Sequence, residues 1–497
     1  MRISWKSSTI LGVAVALVLA IPATTQASAS RHGTDTRAHR EAKAALVAVQ
    51  DALSHGQRPN APRTDLSLLL RDLRFALPAL TPSERAEASA LLGLYIPPPR
   101  SNCAATLTEK VVATAHFCVH YTSSSTPEWA RTTADTLEYV WHAEVDQLHF
   151  RAPLRDGDGL FDVYLREIGD QGYYGACAPY DNARHSRSSC VLDDDFSPSE
   201  FGGAAPLNSL RVTAAHEFFH AIQYAYDTTE DIWFMEGTAV WAEDQVFPTI
   251  NDYRQYLPFS AIPHPRTPID YEGITSSDLY YRYGAVLFWK FLSEQFRDPT
   301  IIRRVWEYAD GDRYSLQAVA ATLAERGWSF GKAFARFGVW NTLPRGTYGD
   351  RAIFPSPAWW QVAKLGRHHR DTGTHTVVLN HLTNAASYFN PARKLPRRTK
   401  LRITVTGPSL GHLPRATVQV RHPDGTYRLV EVPLDSAGDG TVVVRFNPRK
   451  VAAVVVTVTN ASPRMTCGVD PDDRYSCAGE SPDDGRTFGV RARVKLP

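Results

Sequence analysis

His216-Glu217-Phe218-Phe219-His220 is the stretch from which the rest of this chain can be read. Two histidines four residues apart on a helix leave from one face, close enough to share a metal ion. The glutamate beside the first can polarise a water bound to that metal. Ala215, Phe219, Ile222 and Tyr226 recur at helical spacing. They predict a buried apolar stripe, with the two histidines on a neighbouring face. A catalytic zinc needs a third protein ligand and an open fourth position. Downstream, Trp233-Phe234-Met235-Glu236-Gly237-Thr238-Ala239 predicts a second helix with an acid near its start. Glu243 returns to the face of Glu236 two turns later.

The motifs at His216, Glu236 and Tyr281, in that order, resemble those of the gluzincin zinc metallopeptidases. In particular they resemble exported bacterial metalloprotease-like proteins with a C-terminal β domain, over residues 101 to 345. The resemblance implies Zn2+ held by His216, His220 and Glu236, with Glu217 as general base and Glu243 as a carboxylate that orients a ligating histidine. In Tyr281-Arg282-Tyr283-Gly284 it makes Tyr281 the donor to the oxyanion, with Tyr280 and Tyr283 as close competitors. Aminopeptidases of this kind carry a Gly-Ala-Met-Glu-Asn loop whose glutamate grips the substrate amine. The nearest counterpart, Gly175-Ala176-Cys177-Ala178-Pro179, has no acid at that place, which favours internal cleavage. The spacing from His220 to Glu236 is shorter than in the aminopeptidase branch and calls for a tighter loop. The expected activity is therefore a secreted zinc-dependent endopeptidase acting on a peptide or protein substrate. The rival from another class is a non-catalytic secreted binding protein on the same scaffold, with the β domain as its working part. Hydrolysis of a non-peptide bond is a third reading.

The chain of 497 residues is 43% hydrophobic and 21% charged, enough for two or three domains with real cores. Arg2 and Lys6 precede an apolar run from Ile10 to Ile21 and the small residues Ala27-Ser28-Ala29, the layout of a secretory signal peptide over 1–29. That run is short for a membrane span. Removing the two signal-peptide cations brings the formal charge of +2 to zero, which gives no electrostatic reason to bind nucleic acid or an anionic membrane. An even set of six cysteines in an exported chain predicts disulfides. Sequence proximity favours the pairs Cys103/Cys118, Cys177/Cys190 and Cys467/Cys477, one of 15 connectivities.

The expected fold class is α+β. Residues 30–99 read as helical, with a capping box at Thr81-Pro82-Ser83-Glu84. This region is either a propeptide covering a protease cleft or an ordinary helical subdomain. It has no cysteine, so any inhibition by it cannot use a thiolate. Residues 100–345 mix strands and helices as the zinc-peptidase-like domain, 346–371 form a linker, and 372–497 predict a β-sandwich. The sandwich could serve in substrate docking or contact with the cell envelope. Asp156-Gly157-Asp158-Gly159 with Asp162 reads as a turn before a strand, His368-His369 with His375 as a solvated linker, and the basic run from Arg393 to Arg398 as a polar strand entrance.

Overall fold

A computed structural model describes residues 36–56, 62–349 and 354–497, apart from positions 98, 101, 156, 274, 276, 277 and 471. The signal-peptide segment 1–29 lies outside the described residues, as does Asp156. The fold is α+β, with twelve α-helices and three sheets among the described residues.

A five-stranded mixed sheet organises the middle of the chain. Its strands are β1 (Lys110–Ala113), β2 (Phe117–Tyr121), β3 (Phe161–Arg166), β4 (Gly175–Pro179) and β5 (Ser188–Asp193), in the spatial order β1-β2-β3-β5-β4. The two inner pairings are parallel and the two outer ones antiparallel. Strands β2, β4 and β5 are buried along their whole length, as expected of a sheet covered on both faces. Alternation then sorts the side chains. Phe117, Val119, Val163, Cys177 and Leu192 enter the large central core, while Tyr164, Ala176, Ala178 and Val191 turn the other way.

The second face meets the N-terminal helices α1 (Arg37–His55), α2 (Ser67–Ala76) and α3 (Pro82–Tyr95). Thr81 caps α3 as the sequence predicts: its hydroxyl takes the Glu84 N–H, and its own N–H goes back to Glu84 Oε2 at 3.0 Å. The first face is covered by α4 (Pro127–Trp141) and α5 (Pro206–Tyr226). Behind α5 stand α6 (Ile232–Val246), the short α7 (Tyr281–Gly284), α8 (Val286–Phe296), α9 (Thr300–Ala309), α10 (Ser315–Glu325) and α11 (Phe330–Trp340), followed by α12 (Pro344–Thr347).

The C-terminal part is a β-sandwich with its own core. One sheet has β6 (Gln361–Leu365), β8 (Thr383–Pro391), β10 (Pro414–Arg421), β11 (Tyr427–Glu431) and β13 (Ala453–Asn460), in the order β11-β10-β13-β8-β6. The other has β7 (His375–Leu379), β9 (Lys400–Thr406), β12 (Gly440–Arg445) and β14 (Arg486–Lys495), in the order β12-β9-β14-β7. The expected linker 346–371 is corrected here, because β6 falls inside it and pairs in parallel with β8. An edge strand with one paired side and exposed Val362 carries little apolar signal, so it reads as linker. His368 and His369 stay exposed in the turn that follows. Between β13 and β14 the chain leaves the sandwich, and Cys477 joins the helical core.

All three disulfides join sequence neighbours: Cys103–Cys118, Cys177–Cys190 and Cys467–Cys477. Cys177–Cys190 ties β4 to β5 across directly opposed positions, and Cys103–Cys118 fastens the approach to β1 onto β2. No helix among the described residues is long and apolar enough to cross a membrane.

Candidate metal centre

Helix α5 opens on Pro206 at its first turn, and every side chain from Val212 to Tyr226 is buried. The one-sided stripe expected from Ala215, Phe219, Ile222 and Tyr226 is therefore only part of its packing. The sheet covers one side of α5, with α4 and α6 on others, so the histidine face is enclosed as well. Helix α6 is buried from Trp233 to Asp244 in the same way. The two helices pack together, and the expected tight loop from Asp227 to Asp231 brings Glu236 against the histidine pair.

The Nε2 atoms of His216 and His220 lie 3.2 Å apart, and Glu236 Oε2 stands 3.4 Å and 3.8 Å from them. Four protein ligands at zinc bond lengths sit about 3.3 Å from one another, so these separations suit a shared ion. Glu236 Oε2 is buried and accepts no hydrogen bond, an orphan whose natural partner is a cation. Each imidazole is turned by a partner on its far nitrogen. His216 Nδ1–H donates to Glu243 Oε1 at 2.7 Å, and His220 Nδ1–H donates to Gln223 Oε1 at 2.7 Å. Gln223 is held in turn by donating to Met235 O and Thr238 Oγ1. These contacts leave both Nε2 lone pairs facing Glu236. Glu243 thus stands where helix periodicity puts it; Gln223 has no sequence signal beyond lying one turn past His220.

A fourth group completes the cluster, and the sequence does not announce it. Asp65, just before α2, places Oδ2 2.9 Å from His216 Nε2 and 3.6 Å from His220 Nε2. Asp65, His216, His220 and Glu236 each offer one ligand atom within 4.8 Å of the others. Two residues on, the Ser67 hydroxyl donates to Glu217 Oε2 at 2.8 Å and accepts the Cys177 N–H of β4 at 2.8 Å. Glu217 lies tightly on that strand. A Cβ at Gly175 would fall 2.7 Å from Glu217 Cγ, so glycine is what lets the two approach. The segment Gly175–Pro179, compared above with an aminopeptidase loop, is therefore an edge strand beside the base, and it brings no acid there.

Carboxylates dominate the charge balance. Burial pushes the Glu217 carboxyl well up, and the Asp65 charge adds to this against His216 and His220. Burial likewise raises Glu236, with Asp65 again adding, and pushes Glu243 up to about 7 despite its bond to His216. For Asp65, burial acts upward, but the bonds to His216 and His220 outweigh it and hold the carboxyl well below its ordinary range. Four carboxyl groups, Asp65, Glu217, Glu236 and Glu243, thus crowd two imidazoles in an enclosed site, a donor set that a divalent cation would suit.

Tyr281 is not brought to this cluster. Its ring meets Phe259, His264 and Tyr271, and it bonds to Thr267. Two positions on, Tyr283 is buried beside the metal face, its ring 6.4 Å from that of His216 and stacked on Tyr256. Its hydroxyl accepts the Asp65 N–H at 3.4 Å. Of the three tyrosines weighed in the sequence, Tyr280, Tyr281 and Tyr283, it is Tyr283 that lines the site.

No protein-family model matches the chain, and no curated protein matches it. Among solved structures, one described as a family GH115 4-O-methyl-α-glucuronidase with specificity for decorated arabinogalactans is similar at 9% identity. That alignment covers 71% of this chain and 56% of the other, little more than half its length, with a TM-score of 0.14. A likeness of that size carries no argument about fold or chemistry.

Proposed function

We propose that the chain is an exported zinc-dependent peptidase with its centre at His216, His220 and Glu236. The observation behind this reading is convergence: two consecutive helices, folded back on each other through a short loop, position three ligand atoms around one point, with a carboxylate base beside them. Zinc bound there supplies a Lewis acid that polarises a carbonyl and lowers the pKa of water toward neutrality. Glu217 is the group that moves the proton. Burial raises its proton affinity, which suits a base that takes a proton from water and then hands it to the departing amine. Tyr283 replaces Tyr281 as the donor toward the carbonyl oxygen, since its hydroxyl lies on the wall of the site. His216 and His220 stay oriented through Glu243 and Gln223. The three disulfides fit an oxidising compartment, which supports export.

The test is metal content together with hydrolysis. Purified protein is assayed for zinc, and its action on unfolded casein is compared with that of Glu217→Gln, before and after limited proteolysis. About one zinc per chain, with hydrolysis that Glu217→Gln abolishes, supports the reading. Protein that takes up no zinc on reconstitution would remove the site altogether. A second reading, a closed centre that serves only to hold the N-terminal region down, has Asp65 as the observation in its favour. It predicts stoichiometric zinc and no hydrolysis in any form.

A further inference from the structure

The chain from Arg63 to Ser67 runs through the cleft in front of α5, and groups lining that cleft hold it at successive residues. The Arg63 N–H donates to Gln255 Oε1 at 2.7 Å, and Arg63 O accepts from the Tyr256 hydroxyl at 3.1 Å. The Arg63 guanidinium lies over the Tyr174 ring, 4.0 Å from its centroid, and 3.6 Å from Asp252. Asp65 gives its N–H to Tyr283 and one carboxylate oxygen to the Ser67 N–H, leaving the other oxygen on the histidine pair. Helix α2 then clamps the segment down. Arg71, 1% exposed, donates to Glu230 O at 3.1 Å, in the loop that joins α5 to α6.

We propose that this segment keeps the peptidase latent. The Asp65 carboxylate takes the coordination position that a substrate requires, and Ser67 fastens Glu217. The inference rests on the zinc-peptidase reading and adds to it the regulation of the same site. Four protein ligands make a closed metal centre, whereas a catalytic centre keeps one position open. With the segment in place, the remaining cavity of ≈ 30 Å³, lined by His216, Glu217 and Tyr283 among others, holds a water or two and no peptide. Glu217 cannot act as a free base while one of its oxygens accepts from Ser67 and that hydroxyl is itself fixed by the Cys177 N–H. An oxygen ligand does here what a thiolate would do in a cysteine-based latent enzyme, and the region needs no cysteine for it.

The test uses the full-length chain loaded with Co²⁺, whose visible spectrum reports the ligands directly, with acetohydroxamate as the probe for an open position. The wild-type spectrum should stay unchanged on adding hydroxamate, and that of Asp65→Asn should shift. Zinc affinity of Asp65→Asn should fall at least tenfold, while its hydrolysis of casein should rise at least tenfold. Arg63→Ala, which loosens the segment and leaves every ligand intact, should admit hydroxamate partially; it keeps the test decisive if Asp65→Asn fails to fold. Equal response of wild type and both variants to hydroxamate overturns the proposal. If the variants open to hydroxamate yet hydrolyse no peptide, the peptidase reading fails and the Asp65 gate stands. If wild type and variants hydrolyse equally with identical cobalt spectra, the gate fails and the peptidase stands.

Discussion

Two segments from outside the helical core reach the helices that carry the metal centre, and they do so from opposite sides. The N-terminal one, around Asp65 and Ser67, comes from the front and bonds directly to ligand and base side chains. The C-terminal one, between β13 and β14, comes from behind and meets the start of α6. There the Trp233 indole N–H donates to Ser476 Oγ at 2.9 Å, and the Cys477 N–H donates to Asp231 Oδ1 at 2.7 Å. The Glu272 N–H reaches Arg474 O at 3.0 Å, and the Ser476 N–H reaches Asp270. Asp231 sits at the N-cap of α6 yet spends its carboxylate on Cys477 and Ser315 rather than on its own helix. On the reading proposed above, the front contact would compete with a substrate, while the rear contact holds the start of α6, the helix that carries Glu236. On that reading, the face of a ligand-bearing helix that a segment meets decides whether it inhibits or supports.

The sharpest way to break this comparison is at Glu217. In protein opened at the front, Glu217→Gln should lower casein hydrolysis by about 10²- to 10⁴-fold while leaving zinc content unchanged. A variant that loses zinc instead would make Glu217 a structural group. The rear contact is tested next by replacing Cys467 and Cys477 together with serine. Unfolding by urea should show a loss of about 2–4 kcal/mol, with weaker zinc binding as α6 loosens, and a variant as stable as wild type would leave the rear contact without a role. Asp231→Asn should act in the same direction by a smaller amount, about 1–3 kcal/mol, because the Cys477 N–H loses a charged acceptor. The mildest prediction concerns pH. His381 of the sandwich is fully buried between Asp270 and Asp484; burial alone would lower its pKa, but the two carboxylates outweigh this and push it up to about 10. A raised folded value means that its contribution is complete below about 6.5, the unfolded value, and fades as pH rises toward 10. Thermal melts should therefore show alkali loosening the rear contact, and His381→Asn should flatten that slope. Metal ligands at the front must be deprotonated, so there it is acid that weakens binding.

Local signals in the sequence carried the centre of the molecule. His216 and His220 are visible because helical spacing places them on one face, Glu236 and Glu243 because the segment around them resembles a known motif, and the Thr81 capping box and the sequential cysteine pairs are local as well. Asp65 and Ser67 were out of reach for the opposite reason. An acid two residues before a serine at a helix start reads as ordinary turn chemistry, and its real partners lie about 150 residues away in the chain. Tyr281 and Tyr283 differ by two positions on a helix of four residues, which turns one toward Tyr271 and the other toward His216. Motif matching cannot resolve that rotation without knowing which face of α7 meets α6. Strand β8 carries little apolar signal of its own, because its buried side chains include Thr383, Asn384 and Ser387, whose polarity hides a central strand. Asn384 there accepts from the Thr459 hydroxyl.

The Cys103–Cys118 bridge sorts the ways of severing the chain into two kinds. Asn102 and Ala104 to Thr108 are exposed, and Leu107 stands fully in solvent, so this stretch is open to attack by other proteases. A break after Cys103 leaves the helical region covalently leashed to β2, and Asp65 can return to the cleft as fast as it departs. A break before Cys103 lets the region diffuse away for good. If the proposed latency holds, two nicks a few residues apart would then give one form that merely breathes and another that is irreversibly open, with the thiol–disulfide poise of the surroundings able to convert the first into the second.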